Sequence, residues 1–138
     1  MAKSVKDAMT ANPRTISGDT PVVDAARVMR DENVGSLPLV EGGRLVGTLT
    51  DRDIIVRVIA DGRDPHSVSA GEIASRDLVT VDPQQNLDDA LRLMAQHQVR
   101  RIPVVEEDGR LVGVVAQADV AQEAKSKRVG EAVEEISR

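Results

Sequence analysis

The chain repeats itself. Asp24-Ala25-Ala26-Arg27-Val28-Met29 lines up with Asp89-Ala90-Leu91-Arg92-Leu93-Met94 at an offset of 65 residues, and the same offset carries Thr15 onto Thr80, Val34 onto Val99, Pro38 onto Pro103, Val40 onto Val105 and Glu41 onto Glu106. One residue inserted in the next turn raises the offset to 66. Gly43-Arg44-Leu45-Val46-Gly47 then recurs as Gly109-Arg110-Leu111-Val112-Gly113, and Asp53 meets Asp119. Agreement at one period across separate positions marks a duplicated structural unit. A unit of roughly 60 residues buries too little surface to be stable alone, so the two copies should pack face to face as one body about a pseudo-twofold axis.

Each copy has the same order of elements. A short apolar strand (Thr15-Ile16; Val79-Thr80-Val81) leads to a helix opened by Thr20-Pro21, with Pro at the first helical position, or by Asn86 as a capping side chain. Apolar residues follow at helical spacing, Val22, Ala25, Ala26 and Met29 in one copy and Leu87, Ala90, Leu91 and Met94 in the other, and form a core stripe. Two β-branched runs come next, Leu37 to Val40 and Leu45 to Thr50, joined by the hairpin residues Glu41-Gly42-Gly43-Arg44; Ile102 to Val105 and Leu111 to Val115 repeat them around Glu106 to Gly109. A second helix follows, Asp53 to Ala60 and from Asp119 onward. The unit is β-α-β-β-α, an α/β (α+β) pattern, with Asp61-Gly62-Arg63-Asp64-Pro65 as the punctuation between copies. Linear division gives a first domain at 1–64 with its lead-in, a second at 65–121, and a helical extension at 122–138. Ser4 to Met9 and Ser69 to Ala74 read as short lead-in helices outside the repeat. Ala121 to Arg138 reads as an amphipathic tail with Val129, Ala132, Val133 and Ile136 at helical spacing, capping the fold or contacting a second copy.

Composition removes several chemistries. The chain has no Phe, Tyr, Trp or Cys, which excludes disulfides, thiolate catalysis, cysteine-ligated zinc, Tyr acid/base chemistry and base stacking on aromatic rings. Its core must be aliphatic. A net charge of −5 argues against a nucleic-acid phosphate footprint. No apolar run approaches the roughly 20 residues that span a bilayer, and the first residues lack a signal-peptide apolar stretch, so a cytoplasmic location without nucleic-acid or membrane partners is expected.

Val34-Gly35-Ser36-Leu37-Pro38-Leu39-Val40 with Gly47-Thr48-Leu49-Thr50-Asp51-Arg52-Asp53-Ile54, and Val99-Arg100-Arg101-Ile102-Pro103-Val104-Val105 with Gly113-Val114-Val115-Ala116-Gln117-Ala118-Asp119-Val120, resemble the two CBS domains of a Bateman module. The resemblance runs from about Val5 to Ala121. Leu49 to Ile54 and His97-Gln98-Val99-Arg100-Arg101 are most similar to the stand-alone modules of the hypoxic response type. It implies two CBS repeats packed sheet to sheet, an adenosine-containing ligand (AMP, ADP, ATP or S-adenosylmethionine) held in the cleft between repeats, a regulatory role in a stress response, no catalysis, no required cofactor, a homodimer, and an effector protein that receives the signal.

Residue by residue, Thr50 ends a strand and Asp53 falls in the first turn of the next helix, where a hydroxyl, a carboxylate and free backbone N–H groups converge. A carboxylate suits a ribose diol, and a hydroxyl at a helix N-terminus suits a phosphate; the family uses the corresponding Thr and Asp in those roles. The same spacing is also a capping box with Asp in place of Glu. In the second copy Asp119 is kept but Ala116 stands where the family has Ser or Thr. Arg100, Arg101 and Arg52 are candidates for phosphate, or for surface pairing with acids such as Glu106 and Glu107. Ile16, Val34, Leu37 and Pro38 are placed by the resemblance around the adenine, with backbone groups of Thr15 and Ser36 at its edge, or they are core; Thr80, Ile102 and Pro103 are the second-copy counterparts.

Catalysis has little support. His66 lies in the linker and His97 near a helix end, with no nucleophile or base arranged around either; zinc on His97 with nearby carboxylates is a minor alternative, since metal sites normally show several ligands at fixed spacing. The Walker loop and the dinucleotide glycine fingerprint are absent, which points to binding without turnover. The competing reading is a dimeric interaction module that needs no ligand.

Overall fold

The computed structural model describes residues 3–123. Its elements are α1 (Val5–Ala8), β1 (Thr10–Ala11), α2 (Val22–Glu32), β2 (Ser36–Glu41), β3 (Arg44–Thr50), α3 (Asp51–Ile54) running into a π-helical turn (Ile55–Ile59), α4 (Ala70–Ile73), α5 (Leu87–His97), β4 (Arg101–Val105) and β5 (Leu111–Ala116). Residues 117–123 are helical. The extension expected at 122–138, with its apolar stripe from Val129 on, lies outside the described residues apart from its first two.

Glycine chemistry sets the first hairpin. Gly42 and Gly43 both have positive φ, 58° and 81°, which suits a two-residue loop matching the twist of its strands. β2 and β3 pair antiparallel from Ser36↔Thr50 to Glu41↔Arg44, with a register shift at Leu39/Val40. Ile16 adds a parallel bridge to Leu39, donating its N–H to the Pro38 carbonyl at 3.1 Å and accepting from Val40 N–H at 3.0 Å. Val81 repeats this against Val104 in the second copy. The expected first strands of the two repeats are thus single bridges.

Two further expectations are corrected. Pro21 stands just before α2, at the N-cap rather than the first helical position, and the Thr20 hydroxyl accepts from the Ser17 N–H at 3.2 Å instead of capping. Asn86 does cap α5, accepting the Asp88 N–H at 2.9 Å. Leu91, expected in the core stripe, is 37% exposed, because α5 buries Leu87, Ala90 and Met94 and leaves position 91 at the margin of that face.

The two lead-in helices prove to be part of the repeat and to serve each other's copies. Val5 N–H donates to the Gln85 carbonyl and Lys6 N–H to that of Pro83, while Leu87 N–H donates to Lys3. At the same offset of 65, Ala70 donates to Thr20, Gly71 to Gly18, and Val22 to Val68. Compact units follow these bonds rather than the linear order. Of the described residues, one unit comprises Arg14–Leu78 with Asp108–Leu111; the other joins residues 3–13 to Val79–Glu107 and residues 112–123.

Each unit has its own aliphatic core. In one, Leu37, Leu39, Leu49, Val58, Ile16 and Met29 pack with Ala70 and Ile73 of the later lead-in. In the other, Val81, Ala90, Met94, Ile102, Val104 and Val115 pack with Val5 of the earlier one. Val5 is fully buried, and burying one valine contributes about 2 kcal/mol, so each copy depends on the lead-in that precedes the other.

Glycine makes the second of these dockings possible. β1 pairs antiparallel with β5, Ala11 opposite Gly113, so closely that a Cβ on Gly113 would lie 2.6 Å from Met9 Sδ and 2.9 Å from the Thr10 carbonyl oxygen.

Candidate functional site

In the unit of the first repeat, the parallel bridge and the hairpin set three segments side by side. Thr15 precedes the Ile16 bridge, Ser36 opens β2, and Thr50 closes β3 directly opposite Ser36. The turn from strand to helix is tied back by the Asp51 N–H, which donates to the Gly35 carbonyl at 2.9 Å. Thr50, Ser36 and Asp53 therefore share one end of the small sheet, and Thr15 lies along the other side of β2, just before the bridge of Ile16 to Leu39.

Thr50 and Asp53 form the capping box that their spacing allowed. Thr50 Oγ1 accepts the Asp53 N–H at 3.0 Å, and Asp53 Oδ2 accepts the Thr50 N–H at 2.9 Å. This leaves chemistry unspent: among the described residues the Thr50 O–H has no acceptor and Asp53 Oδ1 has no donor. One hydroxyl donor and one carboxylate oxygen, both half-buried, face whatever meets this end of the sheet. The Thr15 N–H and C=O likewise have no hydrogen-bond partner among the described residues.

The aliphatic candidates divide. Ile16, 7% exposed, and Leu37, 1% exposed, are members of the core. Pro38 is buried within β2, and Val34 stays half-buried against that core. Arg52 is exposed and in no ion pair among the described residues. Asp51, which sequence reasoning did not single out, stands over Gly35: a Cβ there would lie 3.0 Å from Asp51 Oδ2. The missed signal is the change of pair between copies, Gly35 with Asp51 in the first and Arg100 with Gln117 in the second.

The unit of the second repeat carries the same frame with different charge. Gln117 N–H donates to the Arg100 carbonyl at 2.8 Å, and Asp119 Oδ2 accepts the Ala116 N–H at 3.1 Å. The return bond from a hydroxyl is missing because Ala116 has none. Thr80 and Pro103 are half-buried, whereas Ile102 is wholly in the core. Arg100 and Arg101 are exposed, and neither pairs with Glu106, Glu107 or any other described acid. One copy thus offers a hydroxyl and carboxylates, the other a carboxylate and two guanidinium groups without an acid partner among the described residues.

The shifted carboxylates lie elsewhere, at the lead-ins and the linker. Hydrogen bonds from the Ser4 N–H and hydroxyl hold Asp7 below its ordinary range, and those from Ser69 do the same for Glu72, helped by Arg63. Donation from the His66 N–H and ring lowers Asp64. Among the described residues no three His, Cys, Asp or Glu side chains gather as a metal site, and no helix is long and apolar enough to cross a membrane.

Comparison with known proteins covers nearly all of this architecture. The family model for the CBS domain matches twice, at residues 5–60 and 70–126. The CBS domain-containing protein YhcV of Bacillus subtilis is 44% identical over 135 residues, 97% of this chain and 95% of the relative. Hypoxic response protein 1 of Mycobacterium tuberculosis is 39% identical over 120 residues, 86% of this chain and 83% of the relative. A crystal structure of a hypoxic response protein with two coordinated zinc ions is similar at TM-score 0.80 and 39% identity, covering 87% of this chain and 98% of that one. The CBS pair of protein MJ0100, in complex with 5′-methylthioadenosine and S-adenosylmethionine, matches at TM-score 0.80 and 26% identity over 92% of this chain and 99% of that one. CBSX2 in complex with AMP matches at TM-score 0.80 and 27% identity, over 91% and 98%.

Proposed function

The chain belongs to the CBS-domain family, a paired regulatory module, and from that premise we propose that it binds an adenosine-containing ligand without turning it over and works as a cytoplasmic homodimeric sensor. The observation that carries the reading is the unspent half of the Thr50–Asp53 box, a hydroxyl donor and a carboxylate oxygen on one strand-to-helix turn, with free backbone groups at Thr15 on the other side of β2 in the same unit. A carboxylate takes two hydroxyl donors of a ribose, a threonine hydroxyl donates to a phosphate or ribose oxygen, and a free N–H and C=O read the edge of a purine.

Support comes from relatives of the same fold whose structures hold AMP, S-adenosylmethionine and 5′-methylthioadenosine. Adenosine is the part these ligands share. The residues assigned are Thr15, Val34, Ser36, Pro38, Thr50, Arg52 and Asp53 in the first repeat, lying over the core residues Ile16 and Leu37. In the second they are Thr80, Arg100, Arg101, Pro103 and Asp119, over Ile102. Because Ala116 supplies no hydroxyl, the second set depends on its guanidinium groups, which favour an anionic ligand. A sensor of this kind acts by differential affinity: the ligand favours one arrangement of the protein and an effector protein responds to it.

Calorimetric titration with AMP, ADP, ATP and S-adenosylmethionine tests the proposal. Heat with saturation for at least one, matched by a rise in Tm, is the expected result; no heat and no thermal shift at millimolar ligand refutes it and leaves a ligand-independent interaction module. The absence of Trp and Tyr adds a direct check, since the protein barely absorbs at 280 nm and a co-purified nucleotide stands out at 260 nm.

A further inference from the structure

The turn that carries Thr50 and Asp53 also carries Asp51, whose carboxylate stands where a side chain on Gly35 would begin. A Cβ at Gly35 would lie 3.0 Å from Asp51 Oδ2, 3.5 Å from its Cγ and 3.6 Å from Oδ1. Asp51 Oδ1 accepts the Arg52 N–H at 2.8 Å, and Oδ2 has no donor among the described residues. Neither Asp51 nor Arg52 is in an ion pair among them. The turn itself is closed by backbone, the Asp51 N–H on the Gly35 carbonyl at 2.9 Å, so closing it does not need the acid.

The duplicated copy is an internal control. It closes the same turn, with the Gln117 N–H on the Arg100 carbonyl at 2.8 Å, but the side chains differ. Gly35 and Asp51 become Arg100 and Gln117, while Ser36, Arg52 and Asp53 become Arg101, Ala118 and Asp119. Two acids and one base stand at these positions in the first repeat, one acid and two bases in the second. One backbone frame thus tolerates either sign, and the difference has to do with what meets the turn rather than with folding it.

We infer that Asp51 sets the ligand class of the first repeat: this set takes adenosine compounds without a 5′-phosphate, a nucleoside, 5′-thioether or sulfonium, and the second, with Arg100 and Arg101, takes the 5′-phosphorylated ones. The inference rests on the adenosine reading proposed above and divides its ligands between the repeats. Asp51 acts by repulsion, the element that specificity needs besides attraction. A ligand that meets Thr50 Oγ1 and Asp53 Oδ1 lies beside Asp51, since consecutive Cα atoms are only about 3.8 Å apart. A phosphate there stands within the Debye length of about 10 Å at 0.1 M salt, so it feels the carboxylate. At an exposed site this repulsion lowers affinity about 3- to 10-fold, whereas a sulfonium is attracted and an uncharged thioether is indifferent.

Amide NMR titrations of the full chain, with AMP and separately with 5′-methylthioadenosine, read the repeats apart. The Thr50 and Asp53 amides report the first, those of Ala116 and Asp119 the second. In wild type the thioether should saturate the first pair at lower concentration than AMP, and AMP should saturate the second pair at lower concentration than the thioether. Asp51→Asn, nearly the same shape, should move the preference of the first pair toward AMP by about 3- to 10-fold. Gly35→Arg with Asp51→Gln, the second repeat's own pair, should make the first pair prefer AMP. Raising salt from about 0.05 to about 0.5 M should narrow the wild-type preference at the first pair, a readout that needs no variant to fold. If neither compound moves any of these amides at millimolar concentration, the adenosine reading fails and this inference with it. Binding in which the first pair prefers AMP, the second does not, or the first pair's preference ignores both salt and Asp51→Asn overturns the division by charge and leaves the adenosine reading standing.

Discussion

Replacing Thr50 with Ala would impose on the first repeat what the second already has. In the native protein the strand-to-helix turn is held by two bonds, Asp53 N–H to Thr50 Oγ1 at 3.0 Å and Thr50 N–H to Asp53 Oδ2 at 2.9 Å. The substitution removes only the first. The second should survive, because its counterpart from Ala116 N–H to Asp119 Oδ2 stands at 3.1 Å with no hydroxyl beside it. What is lost is one N-cap, worth about 1 kcal/mol, which for a chain of this length lowers Tm by about 3 to 5 °C. With no Trp or Tyr to report unfolding, urea and thermal melts followed by far-UV circular dichroism are the assay. Thr50→Ser, which keeps the hydroxyl, should recover most of the stability. The same pair of variants separates capping from binding: Thr50→Ala also removes the free O–H donor, so adenosine-ligand affinity should fall with it and return with Ser. A melt unchanged within a degree would refute the capping account, and a loss above about 3 kcal/mol would mean that Thr50 is held by more than a cap.

Asp53→Ala should weaken adenosine-ligand binding about 10- to 100-fold, the scale of a lost charged hydrogen bond, and Asp119→Ala less, as calorimetry would record; the opposite order would reverse the ranking of the two sites. Gly113→Ala forces a Cβ to within 2.9 Å of the Thr10 carbonyl and should cost about 1 to 3 kcal/mol in urea unfolding, whereas Gly47→Ala, at 3.2 Å from the Ser75 carbonyl, should cost less. Asp7 and Glu72 are lowered in the fold from ordinary values of 3.8 and 4.5. Their contribution is therefore complete above those values and is lost as pH falls through the lower folded ones, so the urea midpoint should decline in acid, and Asp7→Asn with Glu72→Gln should flatten that decline.

How far the sequence reaches is visible in Thr50 and Asp53. Their spacing announces both a cap and a ligand pair, and the two readings share one local geometry that any strand-to-helix turn would adopt. Which oxygen is spent and which is left over depends on hydrogen bonds at 2.9 to 3.0 Å that no pattern of residue types contains. Arg100 and Arg101 show the same limit, since their lack of described acid partners is a matter of where Glu106 and Glu107 lie in space.

What the sequence determined by itself is everything that follows from period and local chemistry: two copies, their β-α-β-β-α order, the Gly42-Gly43 hairpin, the Asn86 cap and an aliphatic core without aromatic rings. These need only neighbours within a few residues, or the comparison of one copy with the other. Tertiary structure decided what depends on distant segments. It made Ser4 to Met9 part of the second repeat's core through Val5 and gave Ala70 and Ile73 to the first. It also left Leu91 at the margin of its helix face and turned Ile55, Val56 and Ile59 outward. Hydrophobic burial is non-directional, so an apolar residue in the sequence states that it seeks cover but not which segment supplies it.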